Sequence, residues 1–132
     1  MNNFFHLKLP KFGNFYLSLQ HISPLMNVIF LDDALKELYE TGKTKDSKYK
    51  KLCRDRRFIE AYIDVVALFE SVESTSSLKA FSSLHYEHLR YRPESSVRIM
   101  NRRIERLIFT EHDEGIEVKL IEIDSTHYGN KH

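Results

Sequence analysis

Arg98 and Arg106 stand near the C-terminal end of a 132-residue chain, with Asp124, His127 and Tyr128 close behind them. These are residue types that cut an RNA strand without a metal. Such cleavage asks three things of a protein: the 2′-hydroxyl must lose a proton, the pentavalent phosphate must be stabilised, and the 5′-oxygen must gain a proton as it leaves. Arginine suits the second task, because its charge is permanent and its fork matches two phosphate oxygens. Histidine titrates near neutrality and serves the proton transfers. Arg98 and Arg106 are therefore assigned to the phosphate, and His85, His88 and His127 are the candidates for acid–base work. Tyr128 either stacks on a base or donates a proton, and Asp124 either orients His127 or acts as a base. Each residue also has an ordinary reading. The arginines could be solvated strand residues paired with Glu117 or Glu122, His127 a surface histidine, Tyr128 a packing residue for the tail, and Asp124 the cap of the turn after the last strand.

The charge around these residues is segregated. Twenty Lys and Arg against nineteen Asp and Glu leave a net charge of only +1, so bulk charge does not mark a nucleic-acid binder. Local density does. Lys45, Lys48, Lys50, Lys51 and Arg54 belong to a basic run between Lys43 and Arg57, opposed only by Asp46 and Asp55. It reads as an RNA-backbone contact, or else as a solvated helix face. Arg90, Arg92, Arg102 and Arg103 surround Arg98, and His88 precedes it; these too are candidate RNA contacts. Tyr86 and Tyr91 lie among His and Arg, an interleaving that suits base stacking, although a core role fits Tyr86 equally. From Glu111 to Asp124 the sign reverses, which fits a basic partner segment better than RNA.

Other chemistries find little support. The single cysteine, Cys53, allows no internal disulfide and suits a reducing cytoplasm. No metal-ligand spacing, phosphate-cradling glycine loop or nucleophile triad is present, so neither metal nor cofactor is expected. No stretch approaches the ~20 apolar residues of a membrane span.

Residues 1–25 lack both acids and a sustained period. They read as an N-terminal extension, either a loosely ordered tail or an upstream start-codon assignment, with the domain proper at 26–132. Asn27 to Leu31 is a β-branched, aromatic run and is expected as a strand. Asp32 and Asp33 are N-cap candidates for a helix carrying Ala34, Leu35, Leu38 and Tyr39, and Gly42 stops it. A second helix is expected from about Lys48 to Val72, interrupted near Arg54-Asp55, with Leu52, Ile59, Tyr62, Ile63, Val66 and Phe69 as its apolar stripe. After a polar breaker and a short helical turn near Leu78 to Leu84, the period switches to two. Ser96 to Met100, Ile104 to Thr110 and Ile116 to Ile123 then form an antiparallel meander, with His112-Asp-Glu-Gly115 as the tighter turn. Helices in one half and strands in the other give an α+β fold: a small antiparallel sheet with helices on one face. The opposite face is expected to be free and to carry Arg98 and Arg106.

This order, β-α-α-β-β-β, with Ser96-Val-Arg-Ile, Arg106-Leu-Ile-Phe and Asp124-Ser-Thr-His-Tyr128, resembles the RelE/ParE superfamily of bacterial toxins. The segments Asn27 to Gly42 and Leu89 to Ile99 look most like its HigB branch, and the resemblance covers nearly all of 26–132. It implies a RelE-like fold and the toxin of a type II toxin–antitoxin pair: a ribosome-dependent mRNA endonuclease, or mRNA interferase, that enters the ribosomal A site, cuts translated mRNA and is restrained by a cognate, HigA-like antitoxin. It also implies that Arg98 and Arg106 match the family's two sheet arginines and Tyr128 its C-terminal tyrosine, with Asp124 and His127 in a tail where members vary. The Asn101-Arg-Arg-Ile insert lengthens the spacing between the arginines and leaves Arg103 as an alternative to Arg106. Two other readings stay open: a gyrase poison like the ParE branch, and a non-catalytic RNA- or partner-binding module.

Overall fold

The computed structural model describes residues 25–126. His127 and Tyr128 lie outside the described residues, as does the extension up to residue 24. Strand β1 (Asn27–Phe30) leads into helix α1 (Asp33–Thr41). Asp32 caps that helix, its side chain accepting the Ala34 N–H at 2.9 Å. Gly42 ends it in the left-handed conformation, with its N–H bonded to the Leu38 carbonyl.

The helix expected from Lys48 onward is shorter. A 3-10 turn (Leu52–Arg54) comes first, and α2 runs Arg56–Ser71. Asp55 makes the break: its backbone is extended and its carboxylate accepts the Phe58 N–H, so it caps α2 rather than continuing a helix through it. Phe58, Ile59, Tyr62, Val65, Val66 and Phe69 form the buried face of α2. A single turn, α3 (Thr75–Leu78), and a 3-10 turn (Ser82–Leu84) follow.

The remaining strands are β2 (Glu87–His88), β3 (Ser95–Arg98), β4 (Arg106–His112) and β5 (Glu117–Asp124). They build one five-stranded sheet in the order β1-β5-β4-β3-β2. The fold is α+β, with the helices packed against one face of the sheet. Two features depart from a simple antiparallel meander. Strand β1 runs parallel to β5, from Asn27 opposite Glu117 to Phe30 opposite Leu120, and a two-residue strand, β2, adds an edge beside β3. Alternation along the strands sorts the faces. Val97, Leu107, Phe109, Val118, Leu120 and Ile123 point into the core with Leu35, Leu38 and the α2 stripe. Phe109 meets Phe69 edge-on, with ring centroids 5.1 Å apart. Ser96, Arg98, Arg106 and Ile108 take the other face. That face is not bare as expected, because Ser96 and Ile108 are fully buried on it.

Candidate nucleic-acid interface

Arg98, Arg106 and Asp124 form a row. Arg98 pairs with Arg106 across β3 and β4, and Arg106 pairs with Asp124 across β4 and β5. Directly opposed residues share a face, so all three side chains leave the sheet on the same side. Their neighbours one step back, Val97, Leu107 and Ile123, are buried in the core. Two arginines facing each other across a ladder repel, and something must offset that. For Arg106 the offset is internal. Its guanidinium lies across β3 and donates to Ser96 Oγ at 2.8 Å and to the His85 carbonyl, with Glu87 of β2 at 3.7 Å. Only 15% of its side chain is exposed. The carboxylate nearest to it is thus on the edge strand, not the Glu117 or Glu122 of the ordinary reading, and sequence spacing does not single it out.

Arg98 differs. It is half-buried, and its Nε is shielded from solvent without a hydrogen-bond partner. A desolvated donor left unpaired costs about 1–3 kcal/mol, and an acceptor arriving from outside would recover that cost. Asp124 is partly engaged: its Oδ1 accepts the Thr126 N–H at 2.8 Å and the Thr126 hydroxyl at 2.7 Å, which caps the turn after β5.

The basic run lies at the same end of the sheet as this row. Beyond the end of β1, the edge of β5 is taken up by Tyr49, whose buried hydroxyl accepts the Ile123 N–H at 3.2 Å. Lys48 pairs with Asp32 at 2.7 Å just past β1. Lys45, Lys50, Lys51 and Arg54 are placed around this anchor, and all four are exposed. The β3–β4 connection brings Arg102 and Arg103 to the same end. Arg102 is exposed, whereas Arg103 is tied down: it bonds Asp55 at 2.6 Å and Glu105 at 3.0 Å and sits over the Phe58 ring at 4.9 Å. Arg103 thus clamps the start of α2 to the sheet, which leaves Arg106 as the arginine opposite Arg98. The Asp55 carboxyl is held below its ordinary range, first by its hydrogen bond from Arg103. Arg90, Arg92 and His88 are not brought to this row. They stand at the opposite end of β3, where the His88 Nδ1 lies 3.1 Å from Ser95 Oγ and Arg92 pairs with Glu94.

A second polar cluster was not visible in the sequence. Glu111, read there as part of an outward acidic stretch, turns to the helix side of the sheet. Its carboxylate accepts hydroxyls from Thr75 and Ser95, each at 2.7 Å, and from Tyr86. The cluster pins the segment carrying α3 and β2 to β4, and that segment brings the His85 carbonyl to Arg106. Burial pushes the Glu111 carboxyl up, but the three hydroxyls and the charge of Lys79 outweigh it and leave it below the ordinary 4.5. A carboxyl depressed on folding contributes stability above its unfolded pKa, and that stability is lost as pH falls through the lower folded value. Acid titration of unfolding should therefore show a flatter loss below pH 4.5 in Glu111→Gln than in the wild type. Identical acid profiles would exclude this role. Tyr86, bound to that carboxylate and partly buried, is pushed up to about 12.

Among the described residues, no group of three or more His, Cys, Asp or Glu is arranged to hold a metal ion, and no helix is long and apolar enough to cross a membrane. Compared with protein-family models, curated proteins and solved structures, the chain finds no match.

Proposed function

We propose that this chain is a ribosome-dependent mRNA endonuclease, acting without a metal, and the toxin of a type II toxin–antitoxin pair of the RelE/ParE kind, nearest the HigB branch. The observation that carries the reading is the Arg98–Arg106–Asp124 row, with an Arg98 Nε that is desolvated and unpartnered. A phosphate placed between the two guanidiniums offsets their repulsion and supplies the missing acceptor. Charge that builds on the phosphate oxygens in the pentavalent state strengthens both contacts, so the arrangement favours the transition state over the ground state. Arg106 is preorganised by Ser96 and the His85 carbonyl, so it needs little reordering to act. Lys45, Lys50, Lys51, Arg54 and Arg102 beside the row suit the flanking phosphates. Asp124 and the chain that follows it are the source we assign for proton transfer.

The test is RNA 5′-end mapping in bacteria after brief induction of residues 26–132. New 5′ ends inside translated reading frames, suppressed by a co-expressed antitoxin, are expected. Growth arrest without new ends would move the target to gyrase. Neither arrest nor cleavage would leave a binding module.

A further inference from the structure

Tyr91 is the most exposed large apolar side chain among the described residues, at 94%. Its place in the chain is unusual as well. The segment between β2 and β3 is a closed loop: the Leu89 N–H bonds the Glu94 carbonyl at 2.9 Å, and the Arg92 N–H bonds the Leu89 carbonyl at 3.3 Å. Leu89 is buried and anchors the loop. The second bond closes a β-turn over Leu89–Arg92 with Tyr91 at its third position, and Tyr91 has φ +62. A turn with positive φ at that position is the type II pattern, which asks for Gly or Asn. An aromatic side chain adopts this backbone rarely and at a cost. Folding gains nothing in return, because the ring touches no core. Glycine there would hold the same turn more cheaply.

The surroundings of the ring indicate what it meets. Arg90 lies over it, 5.9 Å from the ring centroid to the guanidinium carbon, and Arg92 follows directly, its Nε paired with Glu94 at 3.1 Å and its side chain 49% exposed. Three consecutive residues thus present one flat π surface and two cations on a loop held at both ends. A nucleobase has a π face and a phosphate at each side, so a single RNA strand uses all three groups at once. A protein knob would use the ring and leave the flanking cations to be matched separately.

We propose that Tyr91 is a stacking platform for an unpaired RNA base, with Arg90 and Arg92 engaging the neighbouring phosphates. This deepens the nuclease reading by adding a second contact on the RNA. Ser95 and Arg98 bound β3 and lie about 10 Å apart at ~3.3 Å per residue, so the platform engages a base away from the reacting phosphate and sets which stretch of RNA is held.

The chain contains no tryptophan, so Tyr91→Trp installs a single indole emitter at the platform. The probe is a short unstructured 2′-O-methyl oligonucleotide, which a reaction needing the 2′-hydroxyl cannot cut. Its binding should quench the indole emission of that variant. Tyr91→Gly should bind it about 10-fold or more weakly, the scale of one lost base–aromatic stack, while its unfolding midpoint stays level or rises. Tyr91→Phe should bind as the wild type does. An unquenched emitter at saturation overturns the proposal. So does wild-type affinity in Tyr91→Gly, a wild-type chain that does not bind the oligonucleotide, or an emission change produced by a protein partner alone. If the oligonucleotide binds and quenches while mRNA stays intact in cells, the platform stands and the nuclease reading falls.

Discussion

Alanine at Arg98 should lower RNA cleavage about 10²–10³-fold, the usual effect of removing one preorganised donor from developing charge. The fold should survive the change. Arg98 makes no hydrogen bond through its buried Nε, so truncation removes an unpaired donor together with a repulsion against Arg106. The denaturation midpoint should hold or rise slightly, and the loss of cleavage cannot then be attributed to unfolding. Lysine at the same position should restore little, because a point charge does not reproduce the guanidinium fork. Cells expressing Arg98→Ala that arrest as strongly as wild type would remove the row from the mechanism. Arg106→Ala should behave differently in stability. Its guanidinium joins β4 to Ser96 and to the His85 carbonyl, so that variant loses structure at the β2 edge as well as cleavage.

Truncating Phe109 should be the most damaging single change to the fold. The ring is fully buried, meets Phe69 of α2 edge-on at 5.1 Å and lies 6.0 Å from Tyr86. It therefore holds the sheet, the long helix and the segment before β2 together. Phe→Ala at such a site costs about 3–5 kcal/mol, against a total of about 5–15 kcal/mol for a domain of this kind. Denaturant titration should show a large fall in midpoint with an unchanged slope. A shift under about 1 kcal/mol, by the same core-truncation scale, would mean that this contact between layers is not where the stability lies.

Much of the architecture was legible because the sequence repeats its instructions locally. Alternation of Val97 and Ile99 with Arg98, and of Leu107 and Phe109 with Arg106, assigns both arginines to the face away from the core, and the registers agree. Asp32 and Gly42 are local signals for helix ends, and both mark real ones. What the sequence hid was long-range. A two-residue strand such as Glu87–His88 has no period to read. The parallel seating of β1 on β5 joins residues 90 apart, and no local pattern specifies it. Glu111 looks like one acid among six between Glu111 and Asp124. Only the fold brings Thr75, Tyr86 and Ser95 to its carboxylate and makes it an internal anchor. Arg103 shows the same thing in reverse. In the sequence it is one of several arginines near the first, and in the fold it is consumed by Asp55 and Glu105.

The seating of β1 at the sheet edge beside β5 also governs when the domain can exist. Among the described residues, the first strand to be made finds its only sheet neighbour in the last one made. At roughly 5–20 residues per second, a nascent chain spends many seconds with Asn27–Phe30 unpaired, and closing that loop costs about 4 kcal/mol in chain entropy. Until Glu117–Asp124 has cleared the exit tunnel there is no closed sheet and no complete arginine row. The sheet is therefore completed only once its last strand has been made, however early its first one emerges.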